Sequence, residues 1–274
     1  MVYSTDVFVI GGGPAGLAAA IAATQRGFQV IVADGNKPPI DKPCGEGLMP
    51  DSIAALAQLG VFLEPGDGFS LRGINFVDEQ RSVAASFPSR AGVGVRRTIL
   101  HQKMLRRAED LGVRFLWETP VTGIEAGLAK LADNATVKST WFVGADGGQS
   151  RVRRWVRLAS AGRQRARIAS RGHFAVVPWA DRVEVHWGES AQAYVTPVSS
   201  TEVCVVVVSN KPTRDLSLAL SEFPELARRL SGERPARPQR GAFTTTRSLK
   251  KVYRGNVALI GDASGSVDAI TGEG

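Results

Sequence analysis

The sequence predicts an α/β fold in which a Rossmann-like domain is interrupted twice by a β-rich, α+β domain. Apolar runs at 5–10 and 29–33 flank an Ala-rich helical stretch over 17–26, a unit whose two strands lie parallel. From residue 70 to 87, and again after residue 171, short alternating runs replace this pattern and indicate antiparallel strands. The sequence shows no internal repeat and no low-complexity tract.

The individual elements follow from apolar spacing and from the Gly and Pro residues that end them. Gly27 ends the first helix, because glycine is common just past a helix C-terminus. Residues 37–50 contain too much Pro and Gly for regular structure. Helices are predicted at 51–59, 97–111 and 215–230, and strands at 113–117, 121–124, 141–143, 174–177, 183–187, 193–195, 203–208 and 256–260.

Length and composition exclude several classes of protein. The chain has 274 residues, of which 43% are hydrophobic and 22% charged, so it can form a sizeable core and is too apolar for wholesale disorder. The longest strand-like apolar run, Val203 to Val208, is far shorter than the ~18 residues that span a bilayer. In a secretory signal a basic residue precedes the apolar stretch. No Lys or Arg precedes the apolar N-terminal stretch of this sequence, so a secretory signal is not predicted. Cys44 and Cys204 form no disulfide framework, so a reducing, cytoplasmic location is expected.

The net charge of +8 raises the question of a nucleic-acid partner, because clustered cations release counterions from phosphates. The densest basic cluster contains one aromatic residue, Trp155, and lacks the regular aromatics of a base-stacking surface. We therefore interpret it as a solvated helix and loop face and expect no nucleic acid among the partners. Its members are Arg151, Arg153, Arg154, Arg157, Arg163, Arg165, Arg167 and Arg171.

A Gly-rich turn follows the first predicted strand and opens the first helix. Gly11, Gly13 and Gly16 have the G-x-G-x-x-G spacing of a dinucleotide-binding turn. Gly11 permits the tight turn, Gly13 lets backbone amides approach a pyrophosphate, and Gly16 lets the helix pack on the strand. Asp34 ends the second strand, where a carboxylate accepts hydrogen bonds from ribose hydroxyls; the alternative for this residue is a simple role in the turn.

Two further apolar strands run into Gly/Asp turns, at 143–151 and 257–265. The first holds an Asp-Gly pair beginning at Asp146, and the second holds a Gly-Asp pair ending at Asp262. With the N-terminal glycine turn, these motifs resemble the three signatures, in the same order, of the flavoprotein superfamily of p-hydroxybenzoate-hydroxylase-like monooxygenases and geranylgeranyl reductases. The resemblance covers the whole chain and implies that FAD is the bound dinucleotide.

The resemblance also implies roles for individual residues. In the family, the acid of the last motif binds the ribityl chain of FAD and the Asp-Gly turn supports the pyrophosphate region, and these roles fall to Asp262 and Asp146. Arg97 opens a long helix on the phosphate–ribityl side of the flavin. The 44–48 loop reaches the flavin ring, where Cys44 either lines the site or is a small buried residue. The residues assigned to the cofactor are Gly11, Gly13, Pro14, Ala15, Gly16, Asp34, Cys44, Gly45, Arg97, Asp146, Gly261, Asp262 and Gly272.

The same resemblance implies the division of the chain into domains. The FAD-binding domain is predicted to be discontinuous, and the substrate domain is predicted to be formed from the two stretches between its parts. The FAD-binding domain comprises 1–69, 93–165 and 252–274, and the substrate domain comprises 70–92 and 166–251.

Three functions are compatible with these motifs. The favoured one is an NAD(P)H-dependent monooxygenase, in which NAD(P)H visits transiently as electron donor and oxygen hydroxylates an aromatic or polyketide-like small molecule. The second is a reductase of isolated double bonds, which Gly265 and the ending from Thr271 to Gly274 favour. The third is a flavin-binding or nucleic-acid-binding protein without catalysis. The Trp-x-Trp-x-Ile-Pro signature of flavin-dependent halogenases is absent, which disfavours halogenation. The three histidines lack metal-ligand spacing, so no metal site is predicted. The sequence predicts neither a catalytic residue nor an oligomeric state.

The sequence stops at Gly274, inside the continuation of the last motif, where the family's chain enters a helix that points at the flavin. Such a helix N-terminus would stabilise negative charge on the reduced ring. We therefore interpret the sequence as a fragment of a longer protein and expect it to hold FAD poorly on its own. A naturally shortened protein is the alternative.

Overall fold

The computed structural model describes residues 1–78, 81–158, 166–211, 215–233, 235 and 239–267. No helix within these residues is long and apolar enough to cross a bilayer. In chain order the elements are β1 (Val2–Ile10), α1 (Pro14–Thr24), β2 (Val30–Ala33), β3 (Gly47–Leu48), α2 (Pro50–Gln58), β4 (Gly68–Leu71), β5 (Gly73–Val77), β6 (Ser82–Ser86), β7 (Gly92–Val95), α3 (Arg97–Asp110), β8 (Arg114–Leu116), β9 (Val121–Glu125), β10 (Leu128–Leu131), β11 (Thr136–Gly144), α4 (Arg151–Trp155), β12 (Ala166–Phe174), β13 (Val183–Trp187), β14 (Ala191–Ser199), β15 (Glu202–Ser209), α5 (Leu216–Leu220), α6 (Pro224–Arg229), β16 (Arg240–Thr245), β17 (Tyr253–Arg254) and β18 (Val257–Leu259), followed by a 3-10 turn at Gly261–Ala263.

The first sheet has five parallel strands at its centre, in the order β8–β2–β1–β11–β18. β1 pairs with β11 along its whole length, from Val2 opposite Thr136 to Ile10 opposite Gly144. Helices α1 and α3 cover one face around Val9, and α4 with the β9–β10 hairpin covers the other around Phe8. This doubly wound arrangement confirms the predicted α/β fold and brings the carboxyl ends of the parallel strands to one edge.

The second sheet has seven strands in the order β16–β12–β15–β14–β13–β5–β6, antiparallel throughout except between β13 and β5. Two separate stretches of chain therefore build one sheet, which is why the strand pattern of the sequence changes twice. Helices α5 and α6 pack on one face of this sheet. We refer to it below as the substrate-domain sheet; the domain limits themselves stay a prediction.

A third, three-stranded sheet, β3–β7–β4, lies against the substrate-domain sheet. At the contact, Gly94 of β7 is so close to β14 that a Cβ atom would collide with the carbonyl oxygen of Pro197. Because β7 leads directly into α3, this contact fixes the start of α3 relative to the substrate-domain sheet.

Two of the predicted elements differ in the structure. The helix predicted over 215–230 is two short helices, because Pro224 has no N–H to continue the first and instead begins the second. The strand predicted at 174–177 is wrong. β12 ends at Phe174, which pairs with Val203 near the start of β15, and Val177 beyond it lies exposed.

The interpretation of the basic cluster as a solvated face is wrong for two of its members. Arg153 and Arg171 are each only 3% exposed, because backbone carbonyls and carboxylates surround their guanidinium groups. Arg163 and Arg165 lie outside the described residues. The neighbours Arg151 and Arg154 are exposed, as predicted.

Candidate cofactor site

The Gly-rich turn lies between the end of β1 and the start of α1, at the carboxyl edge of the parallel strands. Gly11 has a φ of +111°, and a Cβ atom there would strike the carbonyl oxygen of Ala145. A Cβ atom at Gly16 would strike the carbonyl oxygen of Gly11. At Gly13 the only atom of the described residues that a Cβ would approach is Nη2 of Arg97, at 3.9 Å. Gly11 and Gly16 are therefore required by the turn and by packing, whereas Gly13 borders open space.

Two side chains hold the middle residue of this turn, Gly12. Asp34 accepts the Gly12 N–H at 2.8 Å, and its other oxygen accepts from the backbone and side chain of Asn36. His101, fully buried in α3, donates from Nε2 to the Gly12 carbonyl oxygen at 2.8 Å. Through Asn36, Asp34 does have the role in its own turn, 34–36, that the sequence left open, and a ribose contact of its half-buried carboxylate stays a prediction.

Sequence reasoning missed His101 and Trp117. A Cβ atom at Gly12 would overlap the indole ring of Trp117, which stacks on Phe115 with 5.0 Å between ring centroids. Neither residue belongs to a motif, and both reach the glycine turn only because α3 and β8 pack beside it. No signal in the sequence could have found them.

The pKa of His101 is lowered because burial disfavours the charged ring, and the nearby Arg97 guanidinium adds to this effect. The neutral ring is stabilising above the ordinary pKa of 6.5, and this contribution is lost as pH falls through the lower pKa of the folded state. We expect the free energy of unfolding to decrease below pH 6.5 more steeply in the wild type than in His101→Gln. One proton contributes at most about 1.4 kcal/mol per pH unit. Urea unfolding of both proteins between pH 7.5 and 5.5 measures the difference, and parallel pH profiles would contradict the assignment.

Arg97 is the first residue of α3 and points its guanidinium group toward the open space beside Gly13. The side chain is half-buried, its Nε has no hydrogen-bond partner among the described residues, and no carboxylate of that part of the chain pairs with it. A guanidinium group next to the unpaired N–H groups of the α1 N-terminus fits a pyrophosphate.

Asp146 follows β11 and caps α4. Its Oδ2 accepts the N–H groups of Arg151 and Val152 at 2.7 and 3.1 Å, and Ser150 accepts the N–H of Arg153 at 2.9 Å. Oδ1 of Asp146 is buried and has no partner within the described residues. One carboxylate oxygen therefore fixes the turn, and the contact of the other with the cofactor region stays a prediction.

Arg153 joins the two Gly/Asp turns. Its guanidinium group donates to the carbonyl oxygen of Gly148 at 2.8 Å and to that of Ala263 at 2.9 Å. Arg247 also donates to Gly148, at 3.0 Å. The neighbouring Arg154 is exposed, so Arg153 is the one of these two arginines that contacts the first turn.

The second turn lies against both the first turn and α1. Gly261 has a φ of +54°, and a Cβ atom there would come within 2.8 Å of the Ala15 side chain. Asp262 is exposed, and its Cβ lies 3.9 Å from the position of a Cβ at Gly148. The three motifs thus meet at one edge of the sheet. The assignment of Gly272 lies outside the described residues.

The 44–48 loop connects this edge to the substrate-domain sheet. Cys44 is half-buried, and its carbonyl oxygen lies 3.6 Å from the Cys204 thiol. A Cβ atom at Gly45 would meet no atom of the described residues within 4 Å. Glu46, which sequence reasoning missed, is buried with a φ of +59°. Its position between two glycines of an already selected loop was the available signal.

Glu46, His173 and Cys204 offer donor atoms that lie within 4.8 Å of one another. However, the Arg171 guanidinium group is 3.3 Å from Glu46. Burial and the Glu46 charge raise the pKa of the Cys204 thiol well above its ordinary value. A cation here would face a positive charge and a protonated thiol, so the arrangement fits a hydrogen-bonded ion pair better than a metal site.

A glycine turn with an arginine beside it and two Gly/Asp turns, all at the carboxyl edge of a parallel sheet, are the arrangement of a dinucleotide-binding protein. The family model described as "FAD binding domain" matches residues 4–274, so the chain belongs to this FAD-binding oxidoreductase family. The resemblance stated from the sequence is confirmed.

Relatives of this chain cover nearly all of it. The menaquinone reductase of Mycobacterium tuberculosis is 30% identical over an alignment of 303 positions, which covers 99% of this chain and 73% of that protein. Digeranylgeranylglycerophospholipid reductase 1 of Methanothermobacter thermautotrophicus is 28% identical over 100% of this chain and 74% of its own length. A geranylgeranyl bacteriochlorophyll reductase-like structure from Thermoplasma acidophilum superposes with a TM-score of 0.86 at 21% identity, covering 99% of this chain and 74% of that one. The last similarity shows the fold.

We expect Asp262→Ala to lower FAD occupancy without lowering the stability of the cofactor-free protein. The side chain is exposed and has no hydrogen bond within the described residues, so its loss removes no internal contact. A lost hydrogen bond to the ribityl chain corresponds to roughly 10- to 100-fold weaker binding. Flavin absorbance per protein measures occupancy, and Ser264→Ala in the same turn is the control. Unchanged occupancy in Asp262→Ala would remove this residue from the site.

Proposed function

We propose that this protein is an FAD-dependent oxidoreductase that reduces a double bond in a prenylated lipid or quinone. The similarity to menaquinone reductase over 99% of this chain carries the proposal. The second relative bears the name of a reductase of a geranylgeranylated lipid, and both named substrates carry prenyl chains. The sequence by itself favoured hydroxylation, and these full-length similarities support the reductase more strongly.

The residues that would hold FAD lie close together at the carboxyl edge of the first sheet. The pyrophosphate would lie against Gly13, the α1 N-terminus and Arg97. The neighbouring polar groups of FAD would contact Oδ1 of Asp146, which has no partner within the described residues, and the exposed Asp262. When bound, FAD supplies a two-electron redox centre, and the protein orients a substrate against it and excludes water. NAD(P)H is the proposed transient electron donor.

A second candidate is the NAD(P)H-dependent monooxygenase of an aromatic or polyketide-like small molecule. The rifampicin monooxygenase of Streptomyces venezuelae is 31% identical over an alignment of 170 positions, which covers 57% of this chain and 35% of that protein. This shorter match favours hydroxylation. For either activity we propose a reducing, cytoplasmic location, consistent with the free thiols of Cys44 and Cys204.

The requirement for oxygen separates the two candidates. The FAD-reconstituted protein is incubated with NADPH or NADH and either a prenylated quinone or an aromatic substrate panel, with and without oxygen. Reduction of a prenyl double bond proceeds without oxygen and adds two hydrogen atoms that remain in the product after any quinol has been reoxidised to the quinone. Hydroxylation requires oxygen and adds one oxygen atom. Product formation only in air would overturn the first proposal, and no product in either atmosphere would favour a flavin-binding protein without catalysis.

A further inference from the structure

A buried group of ionisable side chains connects the 44–48 loop to the substrate-domain sheet. We call it the Glu46 cluster, and the Glu46, Arg171 and His173 side chains in it are 1%, 3% and 2% exposed. Arg171 and His173 lie on β12, so their partners in the loop come from a different part of the chain. The cluster consists of Asp41, Glu46, Arg171, His173 and Cys204.

Glu46 is the centre of this cluster. Its Oε2 accepts from Nε2 of His173 at 2.7 Å, and its Oε1 accepts from Arg171 at 3.3 Å. The same Oε1 accepts the backbone N–H of Arg97 at 3.0 Å, and the Glu46 carbonyl oxygen accepts the N–H of Val95 at 2.8 Å. One side chain therefore contacts the substrate-domain sheet and the start of α3.

The charges in the cluster are arranged to keep Glu46 in place. Burial by itself would raise the pKa of Asp41, but the hydrogen bond and charge of Arg171, with the charge of Arg240, hold it below its ordinary value. Burial by itself would lower the pKa of Arg171, but the hydrogen bond of Asp41 and the negative charges of Asp41 and Glu46 raise it. Arg171 also donates to the Lys42 carbonyl oxygen at 2.9 Å. Its guanidinium group therefore contacts the chain both before and after Cys44.

The contact with Arg97 gives the cluster a connection to the cofactor site. Arg97 is the first residue of α3, and the preceding residue, Arg96, provides no side-chain cap. Glu46 therefore supplies from a distant segment the acceptor that a helix N-terminus needs, and its negative charge is favourable there. The start of α3 in turn determines where the Arg97 guanidinium group lies beside Gly13.

We propose that Glu46 is a positioning residue that, held by His173 and Arg171 of the substrate-domain sheet, places Arg97 for the FAD pyrophosphate. The proposal rests on the proposed FAD site. It predicts that the substrate-domain sheet contributes to FAD affinity through residues that touch no part of the cofactor. Supporting residues of this kind change ligand affinity by roughly 10- to 100-fold when they are replaced.

A double-mutant cycle tests the proposal. FAD affinity is measured by quenching of flavin fluorescence for the wild type, Glu46→Gln, Arg97→Ala and the double variant. We expect Glu46→Gln to weaken binding about tenfold or more in the wild-type background and less than about twofold in the Arg97→Ala background. Equal weakening in both backgrounds would show a general structural effect and overturn the proposal.

The ion pair between Arg96 and Glu202 provides a matched control. It joins the start of α3 to β15 at 2.9 Å and does not involve the 44–48 loop. Glu202→Gln should leave FAD affinity within about twofold of the wild type, and a tenfold loss would mean that any contact between α3 and this sheet matters equally. If Glu46→Gln does not fold, His173→Gln replaces it in the cycle with the same criterion. An Arg97→Ala variant that binds FAD as tightly as the wild type would refute the place of Arg97 in the cofactor site itself, which separates the two failures.

Discussion

Replacing Gly13 with valine is expected to abolish FAD binding while leaving the cofactor-free protein folded. Gly13 has a φ of −73° and a ψ of 179°, values that valine adopts readily. Within the described part of the chain, the only atom that its Cβ would approach is on the flexible Arg97 side chain, at 3.9 Å. The isopropyl group would occupy the space through which the backbone meets the pyrophosphate. Gly13→Val would therefore lose FAD binding because the new side chain blocks the cofactor, and not because the fold is disrupted.

Asp34→Ala should weaken FAD binding less than Gly13→Val. We expect Asp34 to make one or two hydrogen bonds to the ribose, together worth about 1–3 kcal/mol, or roughly 5- to 150-fold in affinity. Fluorescence titration measures both variants. Gly123→Val, at another glycine with no atom within 4 Å of its Cβ position, is the matched control. Equal affinities for Gly13→Val and Asp34→Ala would contradict the role of the glycine.

Replacing Arg153 with methionine is expected to lower the free energy of unfolding by about 3 kcal/mol or more and to lower FAD occupancy as well. The guanidinium group makes two charge-assisted hydrogen bonds, to Gly148 and Ala263, each worth about 1.5–3 kcal/mol. Methionine fills a similar volume but leaves both carbonyl oxygens without this donor. The two Gly/Asp turns would then lose their connection.

Two substitutions make the Arg153 result specific. Arg153→Lys keeps the charge but not the planar fork, so it should lose an intermediate amount of stability. Arg154→Met removes a charge from the exposed neighbour and should change stability by less than about 0.5 kcal/mol. Urea unfolding of the cofactor-free proteins measures the free energy of unfolding of Arg153→Met, Arg153→Lys and Arg154→Met. Coincident transitions for Arg153→Met and Arg154→Met would show that the bridge between the turns is not stabilising.

The sequence allowed the glycine turn to be interpreted residue by residue, and the described geometry agrees with the steric part of that interpretation. Gly11 lies at a positive φ, and Gly16 is required by contact with Gly11. The roles of these residues toward FAD stay predictions. Errors arose where a local pattern depended on a distant partner, as in the strand expected beyond Phe174, which ends because β15 offers no further pairing.

The sequence by itself determined the α/β class, the order of the three motifs and the family, because each of these depends on spacing within a few neighbouring residues. Only the tertiary structure decided which side chains support the site. His101 is 89 positions from Gly12, Glu46 is 127 positions from His173, and Arg153 is 110 positions from Ala263. Such contacts leave no periodicity in the sequence, since they form where two separately folded elements pack. A buried arginine and a solvated one therefore look the same until the chain is folded.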